Sequence, residues 1–321
     1  MRALEPAPIA AIRAAREAIA GTVVRTPLLR LHVDEAPCEI WLKCENLQPI
    51  GSFKIRGSAN AMRLASPESL RRGVYTPSAG NMAQGVAWNA RRMGIPCSVV
   101  VPEHAPATKI AAIERLGGRV IRVPFDEWWT VMVEHRYPGL DGLFIHPVAD
   151  AGVVAGNGTI GLEILEDLPD VDAILVPFGG GGLSCGIASG VRALAPRVKL
   201  WACEVSTAAP LAASLAAGAP RSIDYVPSFV DGIGGKSLLE EMWPMVRTLL
   251  DGSLVMDVSE VAAAVRLLVE RSRIVAEGAG ATPVAAALAG RVPGAHKVVC
   301  VVSGGNIDAV KLSTILAGGM P

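Results

Sequence analysis

AILVPFGGGGLSCGIASGVRAL, residues 173–194, is the stretch that decides the fold. An apolar run gives way to four contiguous glycines, and LSCGIASGVRAL then reads as a helix. Working outward, CSVVVP (97–102), RVIRVP (119–124), KLWACEV (199–205) and KVVCVVSGGN (297–306) repeat the pattern of a short apolar or β-branched run. Each is followed by a glycine-rich turn or an Ala/Leu-rich stretch. Near-continuous apolar strands suit a parallel sheet covered on both faces, so the expected class is α/β. EVAAAVRLLVERSRIVAE (260–277) has helical spacing, with Val261, Val265, Leu268 and Ile274 on the face toward a sheet.

In such folds ligands bind beyond the carboxyl ends of strands, which directs attention to four glycine-rich turns. They are SAGNMAQG (78–85), GGGG (179–182), GIGG (232–235) and SGGN (303–306). The strand and helix alternation over residues 50–145 looks like a small domain inserted into a larger one made of 1–49 and 146–321.

Composition narrows the function. The chain has 321 residues, 51% hydrophobic and 19% charged, enough for a large core. Thirty basic residues balance thirty acidic ones, so no global field draws in nucleic acid or an anionic membrane, and small molecules are the expected partners. Cys38, Cys44, Cys97, Cys185, Cys203 and Cys300 lie far apart in largely apolar contexts, as buried reduced thiols do. The N-terminal segment lacks the uninterrupted apolar core of a signal peptide, and no run approaches a membrane span. A cytoplasmic protein is expected.

Four adjacent glycines between a strand and a helix let backbone amides turn around an anion, where the helix N-terminus adds about half a positive charge. Gly179, Gly180, Gly181 and Gly182 therefore read as a phosphate loop. They match neither the Gly-Lys-Ser/Thr ending of a nucleotide P-loop nor the spaced glycines of a dinucleotide site. In GSFKIRG (51–57), Lys54 follows Phe53 in a glycine-bounded turn, and Phe53 with Ile55 offers an apolar setting that lowers an amine's pKa. A phosphate cradle with such an amine and no metal cluster suggests pyridoxal 5′-phosphate. His32, His104, His135, His146 and His296 show no ligand spacing.

GSFKIRG (51–57), SAGN-AQG (78–85, interrupted by Met82), GGGGL (179–183), EGAGA (277–281) and SGGN (303–306) occur in one order. In that order the sequence resembles the fold-type II pyridoxal phosphate enzymes, and within them the serine/threonine dehydratases and their serine racemase relatives. The resemblance runs from about residue 20 to residue 315. It implies a fold like that of the tryptophan synthase β subunit, with two open, twisted, mostly parallel sheets covered by helices. It also implies that Lys54 carries the cofactor as a Schiff base and then serves as acid and base at the substrate α-carbon. By the same resemblance Asn81 meets the ring 3′-oxygen, Ser303 the ring nitrogen, Gly179–Gly182 with Leu183 the phosphate, and Glu277 lies near the ring. Ser78, Ala79, Gly80, Asn81 and Met82 match the loop that takes the substrate carboxylate. Glu204 and the carbonyl of Ala208 match a cation site, although Pro210 stands where an oxygen-bearing side chain is usual, which points to a monovalent ion if any.

Other departures bear on the reaction. Ala79 replaces the second serine base of the racemases, so dehydration is expected over racemisation. Met82 and Ile50 replace a histidine and a threonine, and both should make the site more apolar. FDEWW (125–129) reads as core or interface packing or as a wall of the substrate pocket. The expected activity is a lyase that converts a β-hydroxy α-amino acid such as L-threonine or L-serine to a 2-oxo acid and ammonia, in a homodimer or higher homo-oligomer. The alternatives are a related enzyme acting on hydroxyaspartate or phenylserine, an amino-acid racemase, and a silent ligand-binding homologue. The chain ends soon after SGGNIDAVKLSTIL, so no appended regulatory domain and no feedback inhibition by isoleucine are expected.

Overall fold

The structure is a computed structural model that describes residues 3–34 and 36–321. Its strands, in chain order, are β1 (Leu28–Arg30), β2 (Glu39–Lys43), β3 (Val74–Thr76), β4 (Cys97–Pro102), β5 (Arg119–Val123), β6 (Leu143–Phe144), β7 (Ala173–Pro177), β8 (Lys199–Val205), β9 (Gly252–Met256) and β10 (Lys297–Val301). They form two sheets. The larger has the order β1-β2-β10-β7-β8-β9, parallel throughout except for β1, which pairs antiparallel with β2. Register there sets Val299 of β10 beside Trp41 of β2 and Ile174 of β7. The smaller sheet, β5-β4-β3-β6, is parallel and is built only from residues between 74 and 144.

The unbroken apolar runs follow from burial on both faces. Along β7 and β10, Ala173, Leu175, Val298 and Cys300 pack into one core, while Ile174, Val176, Val299 and Val301 pack into another on the opposite face. A third core, around Val86, Val99 and Ile113, serves the smaller sheet. All six cysteines are free, and all but Cys38 are buried. Among the described residues no helix is long and apolar enough to cross a membrane.

One helix differs from the expectation over 260–277. The α-helix Val258–Leu267 passes into a π-helical turn, Leu268–Ser272, and Arg273 ends it with φ 59°. A π-turn holds one more residue than an α-turn, so Ile274 leaves the helical face yet stays buried through the bond from its N–H to the Leu268 carbonyl (3.1 Å). The chain is thereby freed to deliver Glu277 to the end of the helix Gly278–Leu288. FDEWW begins the helix Phe125–Glu134, and Trp128 packs against the cluster of Val100, Val123 and Val131.

Three helices bring the loops together: Lys54–Leu64, Ala151–Asp167 and Gly182–Leu194. Their contacts are made through glycine, backbone against backbone. A Cβ at Gly156 would stand 2.5 Å from the Arg56 carbonyl oxygen, and one at Gly186 would stand 2.5 Å from that of Val154. Asn157 Nδ2 donates to the Gly182 carbonyl (3.1 Å), which ties the central helix to the start of the third.

Beneath the Lys54 helix lies a buried ion network. The Arg56 guanidinium donates to both oxygens of Glu45 (2.8 Å each) and of Glu163 (2.7 and 2.9 Å), and to Thr159 Oγ1 (3.1 Å). Lys43 Nζ pairs with Glu163 Oε2 at 2.6 Å and donates to the Thr26 carbonyl at 2.7 Å. Two cations and two carboxylates balance, which is what allows charges to be held out of water.

Candidate active site

The glycine-rich turns after β3, β7 and β10 and the GIGG segment converge on a cavity of about 280 Å³. Lys54 stands at its wall. The Phe53 N–H donates to the Ser303 carbonyl (3.0 Å), which fastens the residue before the helix to the end of β10. Lys54 Nζ donates to the Pro147 carbonyl (2.7 Å) and lies 5.2 Å from the centre of the Phe53 ring. Burial penalises its charged form and lowers its pKa to about 8, opposed in part by the nearby Glu277 carboxylate.

The tetraglycine forms a second wall. Gly181 caps the helix Gly182–Leu194 with φ 94° and offers it no side-chain cap, so the first-turn amides keep their donors free. The loop also presses on the segment that holds Lys54. A Cβ at Gly180 would meet Val148 Cγ2 at 2.7 Å, and one at Gly182 would meet the Val148 carbonyl oxygen at 2.9 Å. Free amides, a helix dipole and glycines that only this close packing requires make a cradle suited to a phosphate. Leu183 lines the same side.

Ser78, Gly80, Asn81 and Met82 form the third wall, at the N-terminus of the helix Asn81–Met93, which likewise has no side-chain cap. Ser78 Oγ accepts the Gly80 N–H at 3.2 Å. Ala79 is absent from the cavity wall and packs against the core of the smaller sheet. Met82 reaches both the cavity and that core.

Ile50 lies outside the cavity wall. Its side chain is buried away from the cavity, and only its carbonyl takes part, accepting from Asn306 Nδ2 (2.9 Å). FDEWW does not line the cavity either.

Glu277 and Ser303 close the floor. Glu277 Oε1 accepts from Asn81 Nδ2 at 2.8 Å. Burial, reinforced by Asp231, raises the Glu277 pKa to about 7 against the opposing pull of Asn81, Lys109 and Lys54. Several wall residues escape sequence reasoning. Asn306 Nδ2 donates to Asn81 Oδ1 (2.8 Å), and Lys109 pairs with Asp231 (2.9 Å) across the rim. The Asn of SGGN and the flanks of GIGG were the available signals, but partners 225 and 122 residues away leave no local trace.

Glu204 and Ala208 lie apart from the cavity. Glu204 is buried at the end of β8, where Oε1 accepts the Leu211 N–H (2.8 Å) and Oε2 accepts the Ala212 N–H (2.8 Å) and the Ser253 hydroxyl (2.6 Å). Pro210 starts the helix Pro210–Ala217, so this carboxylate caps that helix. The Ala208 N–H donates to the Val205 carbonyl (2.8 Å).

His135, His146 and Glu241 gather ligand atoms within 4.8 Å of one another. His146 Nδ1, however, accepts the N–H groups of Val148 (3.0 Å) and Ala149 (2.6 Å) while Nε2 faces the Met132 carbonyl (3.2 Å). Both of its nitrogens are committed to backbone, and burial lowers its pKa to about 3.

Comparison with known proteins agrees with this geometry. Residues 19–304 match the family model described as pyridoxal-phosphate dependent enzyme. An L-threonine ammonia-lyase of Geobacter sulfurreducens is 40% identical over 98% of this chain and 79% of its own length. The catabolic L-threonine dehydratase of Escherichia coli K12 is 35% identical over 97% of this chain and 96% of its own. The structure of maize serine racemase superposes with a TM-score of 0.87 at 32% identity, covering 98% of both chains. A buried amine, a glycine phosphate cradle and these full-length similarities lead to one conclusion: the chain belongs to the family of pyridoxal-phosphate dependent enzymes of fold type II.

Proposed function

We propose that this protein is a dehydratase that converts a β-hydroxy α-amino acid of the threonine and serine class to a 2-oxo acid and ammonia. The observation that carries the proposal is the buried Lys54 amine facing a tetraglycine cradle, in a chain similar along its length to proteins named L-threonine ammonia-lyase and L-threonine dehydratase. Pyridoxal phosphate, when bound, supplies the electron sink for loss of the α-proton and the β-hydroxyl. Lys54 would hold it covalently, the Gly179–Gly182 amides with Leu183 would take its phosphate, Asn81 would donate to its 3′-oxygen and Ser303 would meet its ring nitrogen.

With cofactor and substrate in place, the free Lys54 Nζ would take the α-proton, and a pKa near 8 suits that exchange close to neutral pH. The amides of the Ser78–Asn81 turn orient the substrate carboxylate. Loss of water leaves an enamine that hydrolyses to the 2-oxo acid and ammonia.

Ala79 carries no hydroxyl and its methyl packs away from the cavity, which favours elimination over two-sided proton transfer. With Ile50 outside the wall, only Met82 argues for a substrate less polar than threonine. We also infer that residues 50–145 form an inserted small domain, which the division of the strands between two sheets supports, and that the active unit is a cytoplasmic homodimer or higher homo-oligomer.

Incubation with L-threonine, L-serine and bulkier β-hydroxy amino acids should release keto acid and ammonia in equal amounts. Rapid α-proton exchange with no keto acid from any of them would sink the dehydratase reading in favour of racemisation. Purified enzyme should be yellow, and Lys54→Ala should lose the borohydride-reducible linkage.

A further inference from the structure

We propose that Asn306 is a positioning residue that sets the orientation of the Asn81 side-chain amide, so that Asn81 presents its N–H₂ rather than its carbonyl oxygen to the cavity. The inference rests on the reading above that Asn81 meets the cofactor. The Ile50 carbonyl oxygen can only accept. The atom of Asn306 that approaches it at 2.9 Å must therefore be the amide nitrogen, and that nitrogen carries a second hydrogen. The second hydrogen points to Asn81 at 2.8 Å, so the atom of Asn81 on that side must be Oδ1. Asn81 Nδ2 is then turned the other way, where one hydrogen meets Glu277 Oε1 at 2.8 Å and the other remains for an oxygen in the cavity.

Glu277 alone does not settle this choice. Burial raises the Glu277 pKa toward neutrality, so both its protonated and its ionised form are within reach, and a protonated carboxyl donates to an amide oxygen as readily as a carboxylate accepts from an amide nitrogen. The Ile50 carbonyl has no such ambiguity. Room for Asn306 is provided by Gly51, whose φ of 71° is left-handed and where a Cβ would stand 2.6 Å from Asn306 Oδ1. The Gly305 N–H donates to the Gly51 carbonyl (2.9 Å) and holds the two turns in register.

The test uses the holoenzyme reconstituted with pyridoxal phosphate, comparing Asn306→Ala with Asn306→Asp. Ala removes the orienting donor and leaves Asn81 free to turn. Asp, nearly isosteric with Asn but an acceptor on both oxygens, draws the Asn81 amide nitrogen toward itself and aims Oδ1 at the cofactor. We expect cofactor affinity to fall about threefold in Asn306→Ala and more than about tenfold in Asn306→Asp. The visible absorption band and the pH at which it titrates should shift in the same order, and the added effect of Asp should vanish in an Asn81→Ala background.

A merely structural role also makes Asp the more severe variant, because Asp sets an oxygen against the Ile50 carbonyl, but that added effect would persist in the Asn81→Ala background instead of vanishing there. Wild-type bands in both variants, or Ala as severe as Asp, would overturn the proposal while Asn81→Ala still shifts the band. An unchanged band in Asn81→Ala itself would instead overturn the role of Asn81, and the proposal with it.

Discussion

Replacing Arg56 by methionine tests how the Lys54 helix is supported. The substitution keeps most of the side chain's length but leaves Glu45 and Glu163, both buried, against the single ammonium of Lys43. Removing one partner of a buried ionic group costs about 3–5 kcal/mol, because the remaining charge is neither solvated nor paired. That is a large share of a native stability of roughly 5–15 kcal/mol.

The pH dependence carries a second signature. Burial alone pushes the Glu45 carboxyl up, but the charge and hydrogen bonds of Arg56, with Thr26 and Lys43, more than reverse this and hold it below the usual range. In the wild type Glu45 thus contributes stability that is present above its unfolded pKa and lost as acid protonates it through the lowered folded value. In Arg56→Met the sign inverts. Burial dominates, the folded pKa rises above the unfolded one, and the variant recovers stability relative to wild type as pH falls from about 8 to about 5. Urea unfolding of the apoprotein at both pH values measures both effects. A deficit under about 1 kcal/mol at pH 8, or one that does not shrink at pH 5, would refute the account. Adding Glu45→Gln to Arg56→Met should restore part of the loss, since it removes one of the unpaired charges.

Two further outcomes follow from the cavity walls. Gly182→Ala places a methyl 2.9 Å from the Val148 carbonyl oxygen, which only a backbone shift can relieve. It should lower stability by about 1–3 kcal/mol and weaken pyridoxal phosphate binding, measured by thermal melting and by titration of the visible band. Capture of pyridoxal phosphate by the apoprotein needs the neutral Lys54 amine, whose folded pKa of about 8 lies below the ordinary lysine value. Stopped-flow rates should rise about tenfold per pH unit below 8 and level off above it, whereas a rise continuing to about pH 10 would indicate an ordinary, solvated lysine.

What could be read in advance was whatever is local in the chain. Gly179–Gly182 and Lys54, which line one cavity, could be singled out because a run of glycines after a strand and an amine in an apolar turn are each written in a few consecutive residues. The strand runs were legible for the same reason, since burial on both faces removes polar alternation from the segment itself. Arg56 was present in GSFKIRG, yet nothing near it showed that its partners are Glu45 and Glu163, or that all three are buried. Ile50 was read as making the site neighbourhood more apolar; its side chain is buried outside the cavity wall, and its carbonyl accepts from Asn306, a pairing that nothing local in the chain announces. Glu204 was read as part of a cation site, and its carboxylate is engaged by amides that only the fold brings to it.

The glycine contacts along the helix Ala151–Asp167 set a dimension. On one flank Gly156 admits the backbone of Arg56, two residues past the amine; on the other, Gly158 admits the Gly186 carbonyl, four residues past the first glycine of the helix at the phosphate cradle. Because each spacing is main chain on main chain, no rotamer can lengthen or shorten it. The helix works as a gauge block between the amine and the glycine loop, which on the proposed function would take the aldehyde carbon and the phosphate of one cofactor. A side chain added anywhere along it would change that measure without removing a single reactive group.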